Sequence, residues 1–245
     1  MQETYNSSSE KEKALKKIVS IVTSIALASM LCIGATACNS KKAEENNGGN
    51  TPAEQNEPSY IDSVEEDDVY ASGIHHAKVT VDGYKAFTIE LDANTAPITV
   101  SNFCKLSNEG FYDGLTFHRV IDEFCLQGGD PNGNGTGDAG QDILGEFSNN
   151  GVANKLADNY KNGVVAMARA QDPNSASCQF FITLSDINVG SLNGLYAAFG
   201  TIDKKGMKTV DKIVADTLAS AKVDGNGTIT KRDQQPVIKS IKIVD

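Results

Sequence analysis

The chain has 245 residues, of which 40% are hydrophobic and none is tryptophan, and its formal net charge is -10. This length allows one or two domains, and the part after the N-terminal segments, about 170 residues, is long enough to bury a core. Because phosphate backbones and anionic lipids repel an acidic protein, the charge argues against nucleic acid as a partner and against membrane binding by charge alone.

The first 37 residues have the pattern of a targeting segment. Several lysines precede an apolar run over residues 18–37, which ends in small residues directly before Cys38. The sequence LCIGATAC resembles a bacterial lipoprotein signal, which is cut before a cysteine that then carries lipid, although Ala35 stands where such signals usually have leucine. The resemblance implies that residues 1–37 are a signal peptide and that Cys38 is lipidated.

An uncleaved helical anchor is the alternative, because the apolar run is about long enough to span a bilayer. With either anchor, the protein is expected outside the cytoplasm, attached to a membrane.

Residues 38–75 are predicted to form a disordered polar tether. After Cys38 the chain is rich in Asn, Glu, Gly and Pro and has no apolar periodicity, so it cannot bury enough surface to order itself. The acidic run over residues 65–68 is interpreted as a solvated patch, and a partner site there is the open alternative.

The next segments predict a hairpin followed by a helix. Residues 77–81 and 87–91 alternate in polarity and flank an Asp82-Gly83 turn signal, which is typical of antiparallel strands. Apolar residues recur at helical spacing over residues 97–108, with Pro97 suited to the first turn.

The rest of the chain predicts a mainly β domain. We expect strands at residues 116–121, 124–127, 163–168, 178–183, 197–202 and 237–244, and a second helix at residues 208–215. The glycine-rich stretch 128–140 is not followed by Lys-Ser/Thr or by a helical pattern, so it is interpreted as a surface loop and not as a phosphate-binding loop. Many short strands with two helices favour an all-β barrel over an alternating α/β sheet.

The cysteines and histidines of this domain predict neither disulfides nor a metal site. Cys104, Cys125 and Cys178 are odd in number and have apolar flanks, so buried thiols are expected. The chain has only three histidines, and nothing supplies the three or four converging ligands that a metal needs.

Three blocks carry the functional signal: FHRVIDEFCLQGGDP at 117–131, VVAMARAQDPNSASCQFFI at 164–182 and LNGLYAAFG at 192–200. Within the first block, Arg119 and Gln127 interrupt an apolar pattern. An isolated arginine of this kind is usually a surface charge whose stem packs down, and that is the alternative interpretation of Arg119.

These blocks closely resemble the cyclophilins, the peptidyl-prolyl cis-trans isomerases inhibited by cyclosporin, in the family's order and near its spacing. The resemblance implies a domain over residues 76–245 that forms an eight-stranded antiparallel closed barrel with a helix capping each end. It also implies isomerase activity without a cofactor or metal, on proline-containing segments of secreted or cell-envelope proteins. The protein is expected to be a monomer.

The resemblance assigns roles to individual residues. It makes Arg119 and Gln127 catalytic, and it places the proline ring among Phe124, Phe181 and Leu192, with Cys125 at the rim. The remaining substrate-binding positions are Gln179 and Tyr196, which line the groove, and Ala168, Arg169 and Ala170, whose backbone groups pair with the peptide.

Two departures from the family pattern bear on this assignment. Tyr196 stands where many members have histidine, and Ser191 stands where they have the tryptophan that contacts cyclosporin, so weak binding of that drug is expected. A non-catalytic peptide-binding or scaffold module that retained the groove is the alternative function.

Overall fold

Alternating apolar and polar residues build the strands of a nearly closed barrel in the computed structural model, which describes residues 59–245. In the strand Phe87–Asp92, for example, every second side chain is buried. The strands are β1 (Tyr60–Ile61), β2 (Ile74–Val81), β3 (Phe87–Asp92), β4 (Thr116–Ile121), β5 (Cys125–Asp130), β6 (Asp142–Ile143), β7 (Val164–Met167), β8 (Phe180–Thr183), β9 (Ala198–Ile202) and β10 (Ile238–Ile243). The helices are α1 (Pro97–Asn108) and α2 (Lys204–Ser220).

Eight of the strands form one antiparallel sheet in the order β10-β2-β3-β9-β7-β8-β5-β4. Its two outer strands, β10 and β4, approach each other. Ile238 on β10 donates through its N–H to Leu115 O at 2.7 Å and accepts from Gly114 N–H at 2.8 Å, directly before β4. The short strands β1 and β6 form a separate parallel pair. The predicted all-β fold, an eight-stranded antiparallel barrel with two helices, is therefore confirmed.

Helix α2 is longer than the predicted 208–215. It begins at Lys204 because the Asp203 carboxylate accepts a hydrogen bond from Gly206 N at 2.7 Å and so caps the first turn. Its buried face continues to Thr217, which lies beyond the apolar residues on which the prediction of this helix was based.

Helix α1 is capped by a residue that is distant in sequence. Ala96, directly before the helix, offers no side-chain acceptor. Instead the buried Glu146 carboxylate accepts hydrogen bonds from Ile98 N at 3.1 Å and from Thr99 N at 2.8 Å. These bonds satisfy amides that the helix leaves open, and they tie α1 to the segment after β6.

Two groups of buried side chains lie on opposite faces of the sheet. On β8, Phe180 packs in the main barrel core with Phe103 and Phe117, whereas Phe181 belongs to a second cluster with Phe124 and Leu192. Adjacent residues of β8 therefore serve different parts of the protein, because successive side chains of a strand point to opposite faces. The thiols of Cys104, Cys125 and Cys178 are buried and form no disulfide, as expected.

The structure corrects the C-terminal end of the predicted tether, because residues 60–72 contact the barrel. The Asp68 side chain is 2% exposed and lies 3.0 Å from Lys105 Nζ, and it also accepts hydrogen bonds from Ser101 Oγ and from Tyr70 N. Val64 and Tyr70 pack against the barrel core. Apolar residues and a carboxylate with complementary partners on α1 thus order a segment whose overall composition is polar.

The other predictions for the N-terminal region, namely the signal peptide 1–37, the lipidated Cys38 and the tether up to residue 58, lie outside the described residues. Within residues 59–245, no helix is both long enough and apolar enough to cross a bilayer.

Candidate active site

The register of three neighbouring strands brings the two residues predicted to be catalytic beside the predicted proline pocket. Arg119 on β4 lies directly opposite Gln127 on β5, and Gln127 lies directly opposite Phe181 on β8. Residues directly opposite in antiparallel strands point to the same face of the sheet. Arg119, Gln127 and Phe181 therefore form a row across one face.

The Arg119 side chain is held from two directions. Its Nε donates to the carbonyl of Asn226 at 2.8 Å, and its Nη1 donates to Gln127 Oε1 at 3.2 Å. Nη1 also lies 3.7 Å from Cys125 Sγ. Among residues 59–245, no hydrogen bond involves Nη2. A half-buried guanidinium fixed in this way presents unused, permanently charged donors to the groove.

A chain of amide hydrogen bonds continues from Arg119 along the groove. Gln127 Nε2 donates to Gln179 Oε1 at 3.1 Å, and Gln179 Nε2 donates to the carbonyl of Gly137 at 2.8 Å. These bonds fix the orientation of both side-chain amides. They also connect β5 and β8 to the glycine-rich loop.

A cup of buried apolar side chains lies next to Arg119. Phe124, Cys125, Phe181 and Leu192 are each 2–7% exposed and belong to one cluster. The Phe181 ring lies edge-on to Tyr196, with centroids 5.5 Å apart and an interplanar angle of 89°. Burial raises the pKa of the Cys125 thiol, with the Arg119 charge acting in the opposite direction, so the cup is uncharged at neutral pH.

All of these groups line one cavity of about 460 Å³. Every catalytic or substrate-binding residue predicted from the sequence contributes to its wall, and their functional roles stay predictions. These residues are Arg119, Phe124, Cys125, Gln127, Ala168, Arg169, Ala170, Gln179, Phe181, Leu192 and Tyr196.

Residues 168–170 were predicted to pair with the peptide through their backbone groups, but two of their main-chain N–H groups already have partners within the protein. Ala168 N–H already donates to Gln179 O at 2.8 Å, and Ala170 N–H donates to Ser175 Oγ at 3.0 Å. Within the described residues, the main-chain N–H and C=O of Arg169 form no hydrogen bond. Arg169 is therefore the residue of this edge whose main-chain N–H and C=O are both free to pair with a peptide backbone.

Sequence reasoning missed one wall of the cavity, which is formed by Asn226 and Thr228. It reaches Arg119 from more than 100 residues away. The Asp-Gly-Asn-Gly sequence at 224–227 is a turn signal, but no local pattern could show what lies next to that turn in space.

Another wall is the loop from Asn134 to Asp138, which lies within the glycine-rich stretch that was predicted to be a surface loop. The glycine-rich loop begins after Asp130, later than predicted, because β5 continues through Gly128 and Gly129. Gly129 has a φ of +82°, and a Cβ there would lie 2.8 Å from Cys178 O, which explains why glycine is required inside this strand. The Asp130 carboxylate then accepts main-chain hydrogen bonds from Asn132 at 2.8 Å and from Gly137 at 2.9 Å, which orders the loop.

His118 lines the same cavity directly before Arg119 and is 1% exposed. Neither ring nitrogen has a hydrogen-bond partner within residues 59–245. The pKa of His118 is lowered to about 4, mainly by burial, which the Asp130 carboxylate opposes and to which the Arg119 charge adds. His118 is therefore neutral at neutral pH and adds no positive charge beside Arg119.

Comparison with known proteins decides the family. The model for cyclophilin type peptidyl-prolyl cis-trans isomerases matches residues 76–244, which is more than half of the chain. The chain belongs to this cyclophilin family.

Relatives of this cyclophilin in other organisms are named peptidyl-prolyl cis-trans isomerases. Peptidyl-prolyl cis-trans isomerase B of Bacillus subtilis is 40% identical over 144 residues, which cover 59% of this chain and 94% of that protein. Peptidyl-prolyl cis-trans isomerase-like 1 of Neurospora crassa is 42% identical over 127 residues, which cover 52% of this chain and 74% of that protein.

A solved cyclophilin type isomerase from Cryptosporidium parvum has a similar fold. Its TM-score is 0.58 at 28% sequence identity, and the match covers 71% of this chain and 99% of that one. A second crystal structure of the same protein, with a TM-score of 0.57, was determined in the presence of the dipeptide Ala-Pro. Family, relatives and fold agree that this cyclophilin is a peptidyl-prolyl cis-trans isomerase.

Proposed function

We propose that this isomerase stabilises the twisted prolyl amide with the Arg119 guanidinium while the cup formed by Phe124, Phe181 and Leu192 holds the proline ring. The observation that supports this proposal is the position of Arg119, which is fixed by Gln127 and Asn226 beside that cup. An arginine that only covered the surface would not be held from two sides within the wall of a cavity.

The reaction needs no nucleophile and no proton transfer. Rotation about an X-Pro bond breaks no covalent bond, and its barrier of about 18 to 20 kcal/mol comes from amide resonance. In the planar amide the nitrogen lone pair is delocalised, but at a twist of about 90° it is localised and can accept a hydrogen bond. A fixed cationic donor therefore binds the twisted state more strongly than the planar state, which is the condition for catalysis.

The other groups position the substrate. Gln127 and Gln179 orient one another and Arg119, and the main chain of Arg169 is the unpaired edge to which the peptide backbone binds. The Cryptosporidium parvum relative was solved in the presence of Ala-Pro, and we infer that proline-containing peptides occupy the corresponding groove here. The apolar cup excludes water and disfavours the more polar planar amide.

The assay that tests this function follows cis-to-trans conversion of a proline peptide with a coupled protease. Wild-type protein is expected to accelerate the reaction well above its thermal rate in proportion to enzyme concentration. A rate that stays at the thermal value, while the peptide still binds, would support the alternative of a non-catalytic binding module.

We further propose that the enzyme acts outside the cytoplasm, attached to a membrane through lipid on Cys38, where it assists the folding of secreted or cell-envelope proteins. The lipoprotein-like sequence before Cys38 supports this location. More than one acyl chain anchors a protein stably, because each buried methylene contributes about 0.8 kcal/mol. Cys38→Ser is expected to move the protein from the membrane fraction to the soluble fraction, whereas unchanged retention would favour an uncleaved helical anchor.

A further inference from the structure

The Arg169 side chain lies between two aromatic rings at the edge of the groove. Its guanidinium carbon is 5.2 Å from the centroid of the Phe147 ring and 4.9 Å from that of the Tyr196 ring. Both distances are within the range of cation–π attraction, which is strongest for arginine when its flat face lies over the ring.

Main-chain carbonyls fix the same guanidinium from its edge. Nε donates to Leu195 O at 3.0 Å, and Nη1 donates to Ala170 O at 2.9 Å and to Gln171 O at 3.2 Å. Within the described part of the chain, Arg169 forms no ion pair with a carboxylate. Rings and carbonyls therefore hold this charge. Tyr196 and the three carbonyls belong to the two loops that border the groove, residues 168–171 and 192–197, and Phe147 belongs to the segment after β6.

The contact reaches the proline cup through Tyr196. The Tyr196 ring packs edge-on against Phe181, and the carbonyl of Tyr196 accepts a hydrogen bond from Tyr160 Oη at 2.9 Å. Tyr160 in turn stacks on Phe181, with centroids 6.4 Å apart and an interplanar angle of 19°. Tyr196 is only half-buried, so without Arg169 one side of its ring would face the groove without support.

We propose that Arg169 is a positioning residue whose side chain clamps Tyr196 against Phe181 and so sets the width of the proline cup. This inference depends on the proposed role of the cup, and it adds a function for the side chain of a residue that was expected to act through its backbone alone. The guanidinium of Arg169 makes the clamp contacts, whereas the main-chain N–H and C=O of the same residue stay available to bind the peptide.

The clamp affects substrate binding more than the rotation step. The cup holds the proline ring in both the planar and the twisted states of the amide. Loosening the cup therefore weakens the binding of both states to a similar degree. Loss of the Arg169 side chain should therefore raise KM and leave kcat nearly unchanged. Loss of the Arg119 side chain should lower kcat and leave KM nearly unchanged, because Arg119 contacts the amide mainly in the twisted state.

A double-mutant cycle with steady-state kinetics tests the clamp. We expect Arg169→Ala to raise KM about five- to tenfold with kcat within about twofold of wild type, and we expect the same substitution in a Tyr196→Ala background to change KM less than about twofold. Equal effects of Arg169→Ala in both backgrounds would overturn the proposal.

Two further variants separate positioning from folding. Arg169→Lys keeps the charge but loses the planar face, so KM should stay raised, and a wild-type KM for this variant would overturn the proposal. Arg232 also donates to main-chain carbonyls, those of Pro131 and Asn132, and Arg232→Ala serves as the matched control that should leave KM unchanged.

The outcomes also distinguish this inference from the function on which it depends. If Arg119→Ala retains full activity, the proposed mechanism is wrong whatever Arg169 does. If Arg119→Ala is inactive and Arg169→Ala has a wild-type KM, only the clamp is wrong.

Discussion

Arg119 and Gln127 face each other directly across β4 and β5, and the 3.2 Å bond from Arg119 Nη1 to Gln127 Oε1 joins their side chains on the groove face of the sheet. Strand register, and not a mobile loop, thus sets the position of the charged donor relative to the cup. Hydrogen bonds within the protein, to Gln127 Oε1 and to the carbonyl of Asn226, fix this donor in place, which is the condition for electrostatic preorganisation.

The first prediction concerns Arg119. We expect Arg119→Ala to lower kcat about 10² to 10³-fold, the loss typical of one preorganised donor, because this side chain is the proposed charged donor to the twisted amide. The protease-coupled assay measures the rate, and circular dichroism should show unchanged secondary structure. Loss of the folded signal together with activity would instead favour a structural role for Arg119.

The second prediction concerns Gln127. Gln127→Ala removes the acceptor for Arg119 Nη1 and the donor to Gln179 Oε1. We expect kcat/KM to fall about tenfold, which corresponds to about 1.4 kcal/mol, the size of a hydrogen bond to a charged group. Gln141→Ala, at an exposed position outside the cavity wall, is the control and should be as active as wild type.

The third prediction concerns the pH dependence of stability. The folded pKa of His118, about 4, lies below its ordinary value of 6.5, so between these values the unfolded chain binds a proton that the folded protein does not. Stability is therefore fully present above about pH 6.5 and is lost as the pH falls through 4, by on the order of 3 kcal/mol in all.

Urea unfolding at several pH values measures this effect. His118→Leu should flatten the free energy of unfolding between about pH 6.5 and 4 relative to wild type. An unchanged slope in this variant would mean that groups other than His118 account for the acid sensitivity in this pH range.

The fourth prediction concerns the segment before the barrel. Asp68→Ala leaves Ser101 and Lys105 without their partner and should destabilise the domain by about 1 to 3 kcal/mol, the cost of removing one member of a largely buried polar group. Asp67→Ala changes an exposed neighbour and should have little effect. Equal unfolding free energies for the two variants would show that the segment adds nothing to stability.

Local patterns predicted the fold class and most elements because they depend on alternation and spacing along the chain. They failed where the deciding contact is distant in sequence. Glu146 caps α1 from about 50 residues away, and Asp68 binds α1 from a segment whose composition indicated disorder. No local pattern could reveal these pairs.

The residues of the candidate site also fall into those that local patterns predicted and those that depend on contacts distant in sequence. The motif blocks indicated Arg119, Gln127 and Phe181, and the register of β4, β5 and β8 explains why residues far apart in sequence form one row. Asn226, which fixes Arg119 Nε, was not predicted, because its hairpin reaches the site by pairing with β4, more than 100 residues earlier in the chain.

Phe180 and Phe181 are neighbours in the chain, yet one belongs to the barrel core and the other to the groove. A substitution at Phe181 can therefore alter which peptides are accepted while the packing around Phe180 persists. We therefore expect peptide preference to be tunable at Phe181 with little loss of thermal stability, because the two rings pack in separate clusters.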